Sequence, residues 1–175
     1  MSKVKACFKA LGFEFNDDKF EDRLKAQKIV YLLQLKGLKG LDFPFKPYLR
    51  GPYSPGLTRE LYGLEGKDET LAQTDTKPLE EFKEIFQNLD AGELEAAATY
   101  ALHAFTEQLS AVEATRKTRE EKRSLTQTQL TLGINKAKEY LFEPTREELE
   151  EMKREFAPWQ AASIQALRDW EARNG

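Results

Sequence analysis

The residues that could carry acid–base, nucleophilic or metal chemistry are few in this chain. It contains a single histidine, His103, and a single cysteine, Cys7. A structural zinc site needs a cluster of such ligands, and one cysteine cannot form an internal disulfide. No glycine-rich phosphate loop occurs. Carboxylates are abundant, but in runs such as Glu147–Glu151 that are typical of solvated helix faces. The sequence therefore predicts no catalytic residue, no metal site and no cofactor, with a carboxylate-dependent hydrolase or nuclease as a minor alternative.

The best candidate for a recognition site is the segment from Arg50 to Pro55, with the sequence RGPYSP. Gly51 permits a backbone conformation or a close approach that a side chain would block, and the two prolines stiffen the turn. Arg50, Tyr53 and Arg59 would then project from a rigid platform towards a partner. The same pattern also fits a tight joint that the fold requires between a strand and a helix, and the two interpretations are compatible.

The second helix is the predicted centre of the core. It opens at Asp18, where Glu21 completes a capping-box-like pair, and it runs to about Lys36. Apolar residues surround it almost completely, which is typical of a helix packed on several sides. The predicted core combines residues of this helix with two later phenylalanines: Phe20, Leu24, Ile29, Val30 and Leu33 with Phe82 and Phe86.

Gln27 and Lys28 interrupt the apolar surface of this helix. Gln27 shares the helical row of Leu24 and Tyr31, so we expect its amide to be partly buried, and a buried amide needs hydrogen-bond partners. We predict that these partners are backbone groups of the Gly51–Ser54 turn.

A short aromatic strand is predicted over Phe43–Arg50, where two prolines limit its pairing to one side. Thr70–Thr74 is a candidate partner strand, and the two would form a small hairpin or wing. Ser54 and Pro55 have the residue types that cap and begin the next helix.

Apolar spacing predicts further helices along the rest of the chain. They are expected over Lys3–Leu11, with Cys7 as a packing residue, over Pro78–Leu89, from Asp90 to about Ser110, with His103 facing solvent, and over Leu130–Leu141.

Two later segments leave alternatives open. Residues 113–128 either continue a helix or form a loop. Their basic residues are interpreted as a solvated face, with phosphate contact as the alternative: Arg116, Lys117, Arg119, Lys122 and Arg123. A final helix after Pro144 carries Phe156, Trp159 and Trp170, which either pack in the core or form a groove for a partner.

These elements predict a mainly α (α+β) fold. It would be a helical domain with a small two-stranded β-hairpin, of a degenerate winged helix-turn-helix type. Residues 1–110 would form the core domain with its hairpin, and residues 111–175 a helical C-terminal extension that packs on the core or on a partner.

Charge is unevenly distributed along the chain. Residues 1–64 contain 12 Lys or Arg and 7 Asp or Glu, whereas residues 65–175 contain 15 and 23. The basic part could face nucleic-acid phosphate, an acidic partner or the acidic half of the same protein. No apolar run approaches the roughly 18 residues of a membrane span, and the N-terminus lacks the apolar core of a signal peptide. With a single cysteine, this predicts a cytoplasmic protein.

The stretch from Arg23 to Tyr62 resembles a known family. The segments QKIVYLLQ and YLRGPYSPGLTRELY are similar to YwgA-like uncharacterised proteins and, more loosely, to the SocA-like or Panacea domain. The positions that match are Gln27, Lys28, Tyr31, Gly51, Pro52, Leu61 and Tyr62. Panacea domains are known chiefly as antitoxin modules that neutralise varied toxins, so the resemblance implies a protein partner such as a toxin.

We therefore expect a non-enzymatic protein-interaction module, antitoxin-like or regulatory, that occludes a partner protein. The predicted partner-binding residues are Arg50, Tyr53, Arg59, Trp159 and Trp170. The alternative is a winged-helix DNA-binding regulator, for which the acidic overall charge predicts weak binding. The partner itself and the oligomeric state are not predicted.

Overall fold

The computed structural model describes residues 2–64, 71, 75–143, 150 and 154. Met1–Leu141 form one compact unit and Phe142–Gly175 a second. Within the described part of the first unit, the helices are α1 (Lys3–Leu11), α2 (Phe20–Leu35), α3 (Pro55–Leu61), α4 (Thr76–Ile85), α5 (Ala91–Ala101), α6 (Ala111–Glu121) and α7 (Gln127–Leu141). Strands β1 (Lys46–Tyr48) and β2 (Gly51–Tyr53) pair in one antiparallel sheet. The predicted helical fold with a small two-stranded hairpin is confirmed.

Helices α2 and α5 occupy the centre of this unit. Every residue from 26 to 33 in α2 and from 94 to 101 in α5 is buried. Helix α5 contacts α2, α6, α7 and β2, which explains why it is covered on all sides. A helix without a solvent face needs apolar or small residues all round, and the sequence LEAAATYA of α5 provides them.

The predicted core is correct at its centre and wrong at its N-terminal end. Ile29, Val30 and Leu33 are completely buried, and Phe82 stacks on Phe86 with ring centroids 4.6 Å apart. Phe20, by contrast, is 56% exposed and Leu24 is half-buried. The reason is that the buried part of α2 begins only at residue 26, so its first turns extend along the surface.

The predicted capping pair of Asp18 and Glu21 is also wrong. The residue before α2 is Lys19, and no side chain caps the helix. Asn16 instead accepts a hydrogen bond from the Asp18 amide at 2.9 Å, and the Asn16 amide donates to Asp22 at 3.2 Å. These bonds hold the preceding residues in a local turn, and α2 therefore begins one residue later than a cap at Asp18 would place it.

Helices α5 and α7 cross closely because Gly133 has no side chain. A Cβ atom at this position would lie 2.4 Å from the carbonyl oxygen of Glu93 and 2.7 Å from the Cβ of Ala96. Only glycine allows this separation, and Ala96 and Ala137 are completely buried nearby. Gly133 therefore sets the distance between the two helices.

The hairpin differs from the one predicted. Lys46–Tyr48 pairs with Gly51–Tyr53 across a turn at residues 49 and 50, with Pro47 opposite Pro52. The predicted partner strand, Thr70–Thr74, lies outside the described residues except for Leu71. Because neither facing proline has an N–H group to donate, the paired segment stays short.

Between residues 102 and 141 the structure has a π-helical segment, α6 and α7. The sequence predicted the end of one helix, a segment left open between helix and loop, and a second helix. The helix that begins after Asp90 becomes a π-helical segment over Leu102–Thr106. Ser110 and Glu113 then form a capping box that begins α6. Helices α6 and α7 belong to the first compact unit, although the sequence analysis placed them in a C-terminal extension.

His103 does not face solvent, contrary to the prediction. Its side chain is 2% exposed, with Nδ1 2.8 Å from Glu107 and Nε2 3.1 Å from Glu121. The prediction assumed a free face on the helix, but α6 packs against the π-helical segment and brings Glu121 to the ring. His103 thus links two elements of the fold.

Cys7 is completely buried in α1, as predicted for a packing residue. Burial raises the pKa of its thiol to about 12. None of the helices in the described residues is both long and apolar enough to cross a membrane.

Candidate functional site

The turn between β2 and α3 is fixed by hydrogen bonds from two buried side chains, Ser54 and Gln27. Ser54 accepts a hydrogen bond from the amide of Leu57 and so caps α3, and Pro55 occupies its first turn. The Gln27 side chain donates to the carbonyl oxygen of Ser54 at 3.1 Å and accepts from its amide at 2.9 Å. The predicted bond between a buried Gln27 and this turn is confirmed. The paired donor and acceptor hold the Ser54 backbone as a neighbouring strand would.

Lys28 binds the backbone of β2, just before this turn. Its ammonium nitrogen donates to the Pro52 carbonyl oxygen at 2.8 Å, and the residue is only 3% exposed. Gly51 has φ +84°, and a Cβ atom there would lie 2.8 Å from Thr99 Oγ1 and 3.7 Å from Lys28 Nζ. Gly51 is therefore required both for its backbone conformation and for the close approach to α5, as the sequence suggested.

A second buried lysine binds the turn between β1 and β2. Lys122, which follows α6, is 3.0 Å from the carboxylate of Glu95 and donates to the Leu49 carbonyl oxygen at 2.8 Å. Lys122 is 3% exposed, so its predicted place on a solvated basic face is wrong. The reason is that the end of α6 lies beside α5, where Glu95 needs a cationic partner.

Burial changes the acid–base behaviour of Lys28. Loss of solvation lowers the pKa of its ammonium group from 10.5 to about 7. Glu95 opposes this effect, whereas the positive charges of Lys122 and Arg50 add to it. The nitrogen therefore changes charge near neutral pH.

Above these buried groups lies an exposed surface rich in aromatic and basic side chains. Phe20 is 56% exposed, and the guanidinium carbons of Arg23 and Arg50 lie 5.7 and 5.5 Å from its ring centroid. Tyr48, 65% exposed, packs against Tyr53 with ring centroids 5.4 Å apart.

Two cavities flank Phe20. One, of about 210 Å³, is lined by Phe20, Arg23, Tyr53 and Tyr62 among others. The other, of about 290 Å³, lies beside Lys28 and is named the Lys28 pocket. Its principal lining residues are Phe20, Leu24, Lys28, Arg50, Gly92 and Glu95. We define the interaction face as the exposed and half-buried residues around these openings, together with Tyr48, which packs against Tyr53: Phe20, Arg23, Tyr48, Arg50, Tyr53 and Tyr62.

The structure brings together some of the predicted partner-binding residues. Arg50 and Tyr53 both lie close to Phe20. Arg59 is exposed on α3 and lines neither of the two cavities beside Phe20. Trp159 and Trp170 lie outside the described residues, as does Phe156.

The residues that carry the family resemblance do not all lie together in the structure. Gln27, Lys28, Gly51 and Pro52 meet beneath the turn, whereas Tyr62 lies on the interaction face. The Tyr31 hydroxyl is 2.8 Å from the hydroxyl of Thr106, away from the turn. Burial raises the pKa of Tyr31 to about 12.

Four residues of this region were not predicted from the sequence. Phe20 was not expected on the surface, and Glu95, Thr99 and Lys122 were not expected beneath it. Glu95 and Thr99 interrupt the otherwise apolar run of α5 four residues apart, and a polar pair on one face of a buried helix is a signal that could have indicated them. The described residues contain no group of three or more His, Cys, Asp or Glu side chains placed to hold a metal ion.

The chain was compared with protein-family models, curated proteins and solved structures, and none of them matches it.

Proposed function

We propose that the protein is a non-enzymatic protein-interaction module, antitoxin-like or regulatory, that occludes a partner through the interaction face. The partner segment would present an apolar side chain flanked by acidic ones. The observation that carries this proposal is Phe20, an exposed aromatic ring between the guanidinium groups of Arg23 and Arg50.

Charge complementarity selects an acidic segment. Among the described residues, no carboxylate lies within ion-pair distance of Arg23 or Arg50. Guanidinium groups bind carboxylates in a paired geometry, and arginine and aromatic residues are the types that carry most binding energy in protein interfaces. The partner's carboxylates would pair with the arginines while its apolar side chain covers Phe20.

The rigidity of the hairpin supports the same function. Gln27, Lys28 and Lys122 hold backbone groups on both sides of it, so binding would order little additional backbone. The resemblance of residues 23–62 to Panacea domains points to the same class of protein, since those domains act chiefly as antitoxins.

The test begins with a tagged chain purified from its native cell and a partner identified by mass spectrometry. The partner is then purified and titrated against the wild type, against Phe20→Ala and against Arg50→Ala. If Phe20 is a binding hot spot, its loss should weaken affinity by about thirtyfold, which corresponds to about 2 kcal/mol.

Val112→Ala is the matched control, because Val112 is 79% exposed on α6 and lies outside the interaction face. Equal affinities for Phe20→Ala and wild type would exclude this face. Binding of duplex DNA that is lost as salt rises would favour the winged-helix regulator instead.

A further inference from the structure

The Lys28 pocket has the composition of a small-molecule site. Its volume of about 290 Å³ lies at the lower end of the range for such sites, roughly 300–1,000 Å³. Apolar side chains of Phe20, Leu24 and Leu125 form part of the wall, and most of the remaining lining residues are charged.

The carboxylates and the cations of the pocket differ in their pairing. Two of each line it. Glu21 is paired with Lys25 at 2.8 Å, and Glu95 with Lys122 at 3.0 Å. Lys28 and Arg50 have no carboxylate within ion-pair distance among the described residues, so both remain available to pair with an anion.

The burial of Lys28 distinguishes the Lys28 pocket from an ordinary charged surface. The ammonium group of Lys28 has three N–H donors, and its one hydrogen bond within the described residues goes to Pro52. The hydroxyl of Thr99, which faces Gly51 as Lys28 does, has no partner among the described residues. Buried groups of this kind are normally satisfied, and an anion in the pocket could accept the remaining donors of Lys28.

We propose that the Lys28 pocket binds a small organic anion, a carboxylate attached to a compact apolar body. The carboxylate pairs with Lys28 and Arg50, and the apolar body lies against Phe20, Leu24 and Leu125. Inorganic phosphate would match the charge but leave the apolar wall uncovered. This site goes beyond the proposed protein-binding function and does not depend on it, because its ligand is a small molecule.

Binding should be linked to protonation. The charged groups that face Lys28 are Glu95 from α5, Lys122 from the end of α6 and Arg50 from the hairpin. An anion in contact with Lys28 favours its charged form. Above about pH 7 the complex therefore takes up a proton, and the affinity for the anion falls as the pH rises.

Benzoate is the probe, and benzyl alcohol is its uncharged analogue. Titrations of the full chain are followed by calorimetry in two cationic buffers of different ionisation enthalpy, because anionic buffers would compete. We expect saturable benzoate binding with proton uptake, and weak or absent binding of benzyl alcohol. Lys28→Met and Arg50→Gln should each weaken binding by about tenfold or more, the effect of losing one charge-assisted contact.

Lys39→Met is the matched control, since Lys39 is exposed and outside the pocket, and its binding should equal that of wild type. Arg50 is exposed, so Arg50→Gln tests the site even if Lys28→Met fails to fold. The proposal is overturned if benzoate does not saturate, if benzyl alcohol binds equally well, or if Arg50→Gln binds like wild type. Phosphate binding without benzoate binding would also overturn the organic anion.

Discussion

Gln27 shows how one buried amide can fix a turn that is distant in sequence. Its side chain bonds to both backbone groups of Ser54, and its amide nitrogen also donates to Thr58 at 2.9 Å. A change at Gln27 therefore leaves the buried Ser54 amide without its acceptor, whereas the Ser54 carbonyl oxygen still accepts from the Thr58 amide.

Replacing Gln27 with Met should destabilise the protein by about 1–3 kcal/mol, because the buried Ser54 amide loses its acceptor while side-chain volume is nearly kept. Urea unfolding measures the change. Gln87→Met is the control, since Gln87 is exposed in the turn that follows α4, and it should leave the midpoint unchanged. A similar midpoint for both variants would contradict the role of Gln27.

The stability of the protein should rise as the pH increases from about 7 to about 9. Lys28 has a pKa near 7 when folded and 10.5 otherwise. In this window the unfolded chain binds more protons, so the free energy of unfolding increases, by up to about 1.4 kcal/mol per pH unit. Above about pH 9 the raised pKa of Cys7 acts in the opposite direction, because the folded thiol keeps its proton.

Lys28→Met should remove this increase, which urea unfolding at several pH values can measure. Comparison with the variant separates Lys28 from other titrating groups. An equal slope in both proteins would show that Lys28 keeps an ordinary pKa in the fold.

At the residue scale, the sequence was informative where a polar residue interrupts an apolar row. Gln27 could be assigned a partner because its helical row predicts burial and the nearby turn has free backbone groups. Lys28 could not, since its burial depends on Glu95 and Lys122, which come from distant parts of the chain.

At the scale of elements, α5 and α7 depend on one glycine for their contact. Gly133→Ala should cost about 1–3 kcal/mol, although alanine favours helices by about 1 kcal/mol, because the added Cβ meets the backbone of α5. Thermal or chemical unfolding measures the loss.

Gly56→Ala is the contrasting control. It also lies in a helix, α3, but its Cβ would lie 3.6 Å from the nearest atom. This substitution should be neutral or stabilising by up to about 1 kcal/mol. Destabilisation by Gly56→Ala as large as that by Gly133→Ala would argue against the close crossing as the cause.

The element boundaries show where sequence patterns stop being sufficient. The bounds of α1 follow from its apolar stripe and are confirmed. The pairing of Lys46–Tyr48 with Gly51–Tyr53 was not predicted, because Pro52 obscured the strand character of that segment. The predicted orientation of His103 was wrong because a helical wheel assigns a solvent face to the helix expected from Asp90 to Ser110, whereas packing of α6 against the π-helical segment covers that face.

At the scale of the whole molecule, the first compact unit should unfold as one body. Leu33→Ala should lower its stability by about 2–5 kcal/mol, because Leu33 is completely buried in the last turn of α2. Leu49→Ala, at an 83% exposed position, should have little effect. Chemical denaturation compares them, and a loss below about 0.5 kcal/mol for Leu33→Ala would show that the site is not part of the core.

The overall architecture was predictable because the helical periodicity of apolar residues is strong in the segments that form α1, α2, α4, α5 and α7. The division of the chain into compact units was less predictable. Helices α6 and α7 have polar surfaces that suggested an extension, but Ala114, Ile134 and Tyr140 are buried against the rest of the unit. Burial of a few small or aromatic residues in a polar helix is set by tertiary packing, which periodicity does not report.

The burial of Cys7 gives the chain an intrinsic probe of its own opening. Alkylating reagents attack the thiolate, so a fully buried thiol with a pKa of about 12 reacts only when the surrounding core separates. Because the chain has one cysteine, each modified molecule records a single opening event. The rate of alkylation under native conditions would therefore count how often α1 leaves the core, without any introduced label.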